Sequence, residues 1–134
     1  MLDRQALLYN FNMQFKISSI FAVAPLLLAA SVSAIGCFSD GADLQGADPT
    51  SAIDAACNTL VGNYIAGSSQ NACQGTGNGN KIDFVVANTF DHSEVLTKDH
   101  CVSNMGITAQ GCKYGGIRAT GLFEMTLDIN SGPC

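Results

Sequence analysis

Two sets of side chains have the types and spacing to do chemistry. The first is His92, Glu94, His100, Arg118 and Glu124. A carboxylate, histidines and an arginine gathered around a phosphate are the tools of a small secreted ribonuclease, and His92 and Glu94, two residues apart, would share one face of a strand. The second set is Lys113, Tyr114, Arg118, Glu124, Asp128 and Asn130, around the Gly115-Gly116 pair and the last apolar run. Sugar sites combine an aromatic plate for the C–H face with amides, carboxylates or a guanidinium for the hydroxyls. The chain has no tryptophan, so the plate would be Tyr114 or Phe90. The plain alternative is a turn with solvated polar residues, and for the two histidines a surface position. Asp91-His92-Ser93 has the letters of a catalytic triad, but sequential neighbours in extended chain point to opposite faces and would not align.

Charge narrows the choice. After residue 34 the only cations are Lys81, Lys98, Lys113 and Arg118, against ten acidic side chains. That balance repels phosphate backbones and anionic lipid, which disfavours nucleic-acid binding, membrane attack and the ribonuclease reading. Neutral partners such as glycans remain. No close C-x-x-C pair is present, so the cysteines do not read as a zinc site, and no cofactor is expected.

The start of the chain reads as a leader. Lys16, the apolar run Ile20–Ala30 and the small residues Val32-Ser33-Ala34 form a secretory signal with Met13 as a plausible true start. The apolar run is too short for a membrane anchor. The expected division is therefore residues 1–34 as extension plus signal and residues 35–134 as one mature, extracellular domain. That domain holds all six cysteines: Cys37, Cys57, Cys73, Cys101, Cys112 and Cys134. An even count in a small secreted chain implies a disulfide framework. If residues 98–109 are helical, Cys101 and Cys112 stand about 16 Å apart, beyond the roughly 7 Å that a disulfide spans. Among the pairings left open, the expected set is Cys57 with Cys73, Cys101 with Cys134 and Cys37 with Cys112.

The elements that must position these groups follow from periodicity. Asp48 offers a cap and Pro49 a first helical residue. Ile53, Ala56, Cys57, Leu60, Val61 and Tyr64 make one apolar stripe, which predicts a helix from Pro49 to about Ile65. A short strand over residues 68–73 leads to the loop Gln74–Asn80, too poor in phosphate-binding features for a P-loop. In Lys81–Asn88, Ile82, Phe84 and Val86 share a face. Residues 93–96 can return as an antiparallel strand. Thr97 caps a second helix with apolar positions Cys101, Val102, Met105, Ile107 and Ala109, closed by Gly111. In the last run Phe123, Met125, Leu127 and Ile129 alternate with Glu124 and Asp128. These elements predict an α+β domain, an antiparallel sheet packed with about two helices and stapled by disulfides.

The order G-C-F, K-I-D-F-V-V, L-T-K-D-H-C, Q-G-C-K-Y-G-G and F-E-M-T-L-D-I-N-S-G-P-C resembles the small secreted fungal glycan-binding proteins of the Y-three-like type. The resemblance spans residues 35–134. It implies an α/β sandwich that binds glycans or glycoproteins without catalysing a reaction and forms a homodimer with sheets joined edge to edge. Two positions depart from the family pattern: Ile129 stands where a proline usually separates the Asp and Asn, and Tyr114 where a histidine is common. The expected ligand set is Tyr114, Arg118, Glu124, Asp128 and Asn130. A lectin-like protein is the leading reading, an effector or toxin-like protein that binds a host protein the second, and a small ribonuclease or hydrolase the third.

Overall fold

The computed structural model describes residues 35–134; the expected leader and the residues before it lie outside the described residues. Seven strands and two helices follow in the order β1 (Ile35–Cys37), α1 (Thr50–Leu60), β2 (Gly62–Tyr64), β3 (Ser69–Gly75), β4 (Asn80–Asn88), β5 (Glu94–Leu96), α2 (Lys98–Gly111), β6 (Gly115–Ala119) and β7 (Phe123–Ser131). Five of the strands form one antiparallel sheet in the order β1-β6-β7-β4-β3, and β2 and β5 pair separately. The α+β class, the antiparallel sheet and the two helices agree with the sequence expectation.

The two central strands carry the core. Ile82, Phe84 and Val86 of β4 lie opposite Ile129, Leu127 and Met125 of β7, all fully buried. Because strand side chains alternate, this register gives the sheet one apolar face and one open face. Both helices cover the apolar face: Ile53, Ala56, Cys57 and Leu60 of α1 and Cys101 and Met105 of α2 join the same cluster. Full burial of each large side chain is worth about 1.5–3 kcal/mol.

Helix α1 is shorter than its stripe predicts. Asp48 Oδ1 accepts from the Thr50 amide at 2.9 Å, but the N-cap position falls to Pro49, which makes no side-chain cap bond, and not to Asp48 as the sequence predicts. At the other end Val61 is extended (ψ 146°), and Gly62 and Asn63, weak helix formers, start a strand instead. Tyr64 still reaches the core, and its hydroxyl donates to the Leu60 carbonyl at 2.6 Å, satisfying one of the helix's last carbonyls. Burial pushes the Tyr64 hydroxyl pKa up to about 12. Strand β5 is antiparallel as expected, with β2 as its partner, Gly62 lying opposite Leu96. In α2 the Thr97 side chain accepts from the His100 amide at 3.3 Å. Ile107 faces solvent, and Thr108 takes the core position, its hydroxyl bonded to the Asn104 carbonyl at 3.1 Å. The buried set Cys101, Met105, Thr108 follows the helical period, which Ile107 does not.

Three disulfides close the domain: Cys37–Cys112, Cys57–Cys101 and Cys73–Cys134. Cys101 and Cys112 do not pair, as the helix length requires, and Cys37–Cys112 is as expected. The other two expected pairs are corrected. Cys57 is buried among the helices, where Cys101 of the neighbouring α2 meets it. Cys73 lies opposite Asp83 in register, on the open face, so the sheet separates it from Cys57. The chain after β7 turns, with the Gly132 amide donating to the Gly79 carbonyl at 2.9 Å, and Cys134 closes on Cys73. Closing loops of these lengths contributes about 4 kcal/mol each in the chain-entropy account.

Candidate functional site

The strand register decides which sequence candidates share a surface. Glu124 lies opposite Ala87, Asp128 opposite Asp83 and Asn130 opposite Lys81, all on the open face. Arg118 lies opposite Met125, a core residue, so its side chain leaves on the helix side. Its Nε donates to Asn104 Oδ1 of α2 at 2.8 Å. The structure thus places Arg118 on the opposite face from Asp128 and Asn130. Glu124, four residues from Asp128, stands about 13 Å away along the strand.

Asp128 and Asn130 come together in a cleft of about 340 Å³, lined also by Phe38, Ser39, Asp40 and Gly41. None of the residues of this second wall was among the sequence candidates. The loop is held from several sides. The Phe38 amide donates to the Gly115 carbonyl at 3.0 Å. Asn80 Nδ2 donates to the Asp43 carbonyl and Asn78 Nδ2 to the Leu44 carbonyl, both at 2.7 Å. Tyr114 adjoins the cleft: a Cβ on Gly41 would stand 3.7 Å from the Tyr114 Cβ. Lys113 Nζ lies 4.8 Å from the Tyr114 ring centroid and 3.8 Å from Asp43. Hydrogen bonding to Tyr114, aided by nearby Asp43, raises the Lys113 pKa. A larger cleft, about 480 Å³, lies between Asp43–Gly46 and residues 109–113 at the end of α2, away from Asp128 and Asn130.

The Gly115-Gly116 pair is a packing device. At Gly115 (φ 88°) a Cβ would strike the Leu127 carbonyl, and at Gly116 it would strike the Gly36 carbonyl and crowd Cys112 Sγ. Only glycine lets β6 lie this close to β7 and β1.

Asp83, which the sequence offered only as a strand residue, does not line the cleft but holds Asn130, which does. Two carboxylates directly opposite each other, Asp83 and Asp128, repel. Asn130 Nδ2 bridges them, donating to Asp83 Oδ2 at 3.0 Å and Asp128 Oδ2 at 3.1 Å. Lys81 Nζ, 3.1 Å from Asp83 Oδ2, offsets part of the charge.

The ribonuclease set is not assembled. His92 Nδ1 meets Asp91 Oδ1 and Nε2 meets Glu94 Oε1, both at 2.8 Å. The Asp91–His92 contact departs from the sequence expectation, because this segment is a bend, where neighbours share a side. The hydrogen bond that His92 donates to Asp91, then that to Glu94, raises the His92 pKa. His100 Nε2 instead meets Thr120 Oγ1 at 3.2 Å, and Arg118 is committed to Asn104. Among the described residues no group of three or more His, Cys, Asp or Glu is placed to hold a metal ion, and no helix is long and apolar enough to cross a membrane.

No curated protein matches the chain. The model of one family, glycan binding domain Y3, matches residues 48–134, which include both helices, β2 to β7 and two residues of the cleft. By that match, over most of its length, this chain belongs to the glycan binding domain Y3 family.

Proposed function

We propose that this protein is a secreted, non-enzymatic, lectin-like glycan-binding protein whose sugar site is the cleft between Phe38–Gly41 and the end of β7. The family match over residues 48–134 carries the reading. The cleft supports its placement, because it joins a carboxylate pair, Asp40 and Asp128, an amide, Asn130, and an aromatic wall, Phe38, with Tyr114 alongside. That is the mixture a sugar's hydroxyls and C–H face require. Arg118 and Glu124 stand outside it. Leader removal at Ala34, export and oxidation of all six cysteines belong to the same proposal, as does a homodimer joined edge to edge.

A glycan array probed with the oxidised protein from culture medium tests the function. Binding that is lost in Asp128→Ala and Asn130→Ala supports site and function together. No binding above background on a broad array overturns the lectin reading in favour of a protein partner. Pull-down from host extract with and without glycosidase treatment then separates glycan from polypeptide recognition. N-terminal sequencing that begins elsewhere than Ile35 rejects the expected leader cleavage.

A further inference from the structure

We propose that Asp83 sets the specificity of this cleft by fixing the orientation of the Asn130 amide. The side chains of the site then offer their ligand a row of hydrogen-bond acceptors with Ser39 as the single donor, and the glycan edge it takes is one with adjacent unsubstituted hydroxyls. The inference rests on the glycan-binding reading above and names what kind of sugar edge that same site accepts.

A carboxylate oxygen can only accept a hydrogen bond, so the nitrogen of the Asn130 amide, not its oxygen, must face Asp83 Oδ2 and Asp128 Oδ2. With Asp128 alone, one contact would hold the amide, and a half-turn would cost one hydrogen bond. Asp83 supplies the second contact and is itself held by Lys81 Nζ at 3.1 Å. The amide is thereby turned so that its free atom is Oδ1, which makes no hydrogen bond among the described residues. The remaining oxygen of Asp128 is an acceptor, and so are both oxygens of Asp40, which has no ion pair or side-chain hydrogen bond among the described residues. Ser39 alone can donate from a side chain lining the cleft.

A sugar edge with adjacent hydroxyls donates to such a row and leaves no acceptor buried without a partner. A sulfated or carboxylated edge instead brings acceptors and negative charge to Asp40, Asp128 and Asp83, with nothing to neutralise it. Lys81 is engaged by Asp83 and Lys113 lies against Asp43 and Tyr114. A site built to pair with a ligand's donors rejects analogues that lack them more strongly than an apolar pocket rejects a misfit. Asp83 is a positioning residue here, since it acts on the ligand through Asn130.

The test is an array on which each glycan scaffold is printed in plain, O-methylated and sulfated forms, probed with the wild-type protein, Asp83→Ala and Asp83→Asn. The wild type is expected to bind plain scaffolds at least about tenfold better than their sulfated twins, a difference of about 1.4 kcal/mol. Asp83→Ala releases the amide and narrows that ratio to about threefold or less. Asp83→Asn keeps an acceptor oxygen facing Lys81 and Asn130 and restores the ratio. A ratio unchanged in Asp83→Ala, or sulfated twins bound as well as plain ones by the wild type, overturns this inference while leaving the lectin reading intact. Wild-type protein that binds no scaffold overturns both. Should Asp83→Ala fail to fold, nuclear magnetic resonance of the wild-type Asn130 side-chain amide decides. Its protons are expected to keep their carboxylate partners in the complex, and a new hydrogen bond from them to the sugar sinks the proposal.

Discussion

Strand β4 ends on a buried asparagine at each side, and the two ends were put to different uses. At one end, Asn80 Nδ2 holds the Asp43 carbonyl and so fixes the loop that walls the cleft. At the other, Asn88 Nδ2 donates to the carbonyls of Tyr64, Ile65 and His92, and its Oδ1 accepts from the Phe90 amide. The Asn80 end leaves an open groove beside a carboxylate pair bridged by a neutral amide. At the Asn88 end the carboxylate pair, Asp91 and Glu94, is bridged by an imidazole. The same device, one nitrogen-bearing group shared by two carboxylates, uses an amide at the cleft and an imidazole, which can carry a charge, at the far end.

The comparison is broken most directly at Asn88. Asn88→Ala removes the side-chain donor to the buried Tyr64 carbonyl and to the part-buried His92 carbonyl and is expected to cost about 3 kcal/mol of stability, read by urea denaturation. Glycan affinity of the folded fraction should stay unchanged, and a parallel loss of affinity would mean the two ends are coupled. Asp128→Ala should do the opposite: affinity falls about tenfold or more, about 1.4 kcal/mol, by titration calorimetry, while the denaturation midpoint barely moves. Asn80→Ala should cost about 1 kcal/mol and speed amide exchange across the Asp43–Ala47 loop, with a smaller affinity loss than Asp128→Ala.

The smallest effect is that of pH on the His92 cluster. The folded His92 pKa lies above its ordinary 6.5, so its contribution is fully present below 6.5 and is lost as pH rises through the folded value. The folded Asp91 pKa lies below its ordinary 3.8, chiefly through the hydrogen bond to His92, so its contribution is present above 3.8 and lost as pH falls through the folded value. The cluster should therefore stabilise most between those ordinary values. Thermal denaturation across pH should show this shape in the wild type and a flatter one in His92→Gln, with no pH dependence transferred to sugar binding.

Two residues of the cleft, Asp128 and Asn130, were already named by residue type. Asp128, Asn130 and Tyr114 stood out as sugar-binding chemistry, and the first two meet in one groove. Arg118 and Glu124 have equally suitable chemistry but lie on the other face or farther along the strand. Asp83 was only one residue of the expected strand Lys81–Asn88, because nothing local says that Asp128 lies opposite it. The Phe38–Gly41 wall carried no periodic signal at all. It is positioned by hydrogen bonds from Asn78 and Asn80 to Leu44 and Asp43, and by the Phe38 amide, contacts that span long stretches of chain.

The amino-acid sequence by itself determined the α+β class, the buried faces of β4 and β7, the Thr97 cap of α2 and the separation of Cys101 from Cys112. Each of these follows from periods of 2 or 3.6 residues and from neighbours within one turn, which are local properties. Only the tertiary structure decided which cysteines meet, which face Arg118 takes, which strand β5 joins and which loop completes the cleft. Those outcomes depend on the register between strands distant in sequence, and a shift of one residue in that register exchanges the two faces of a sheet.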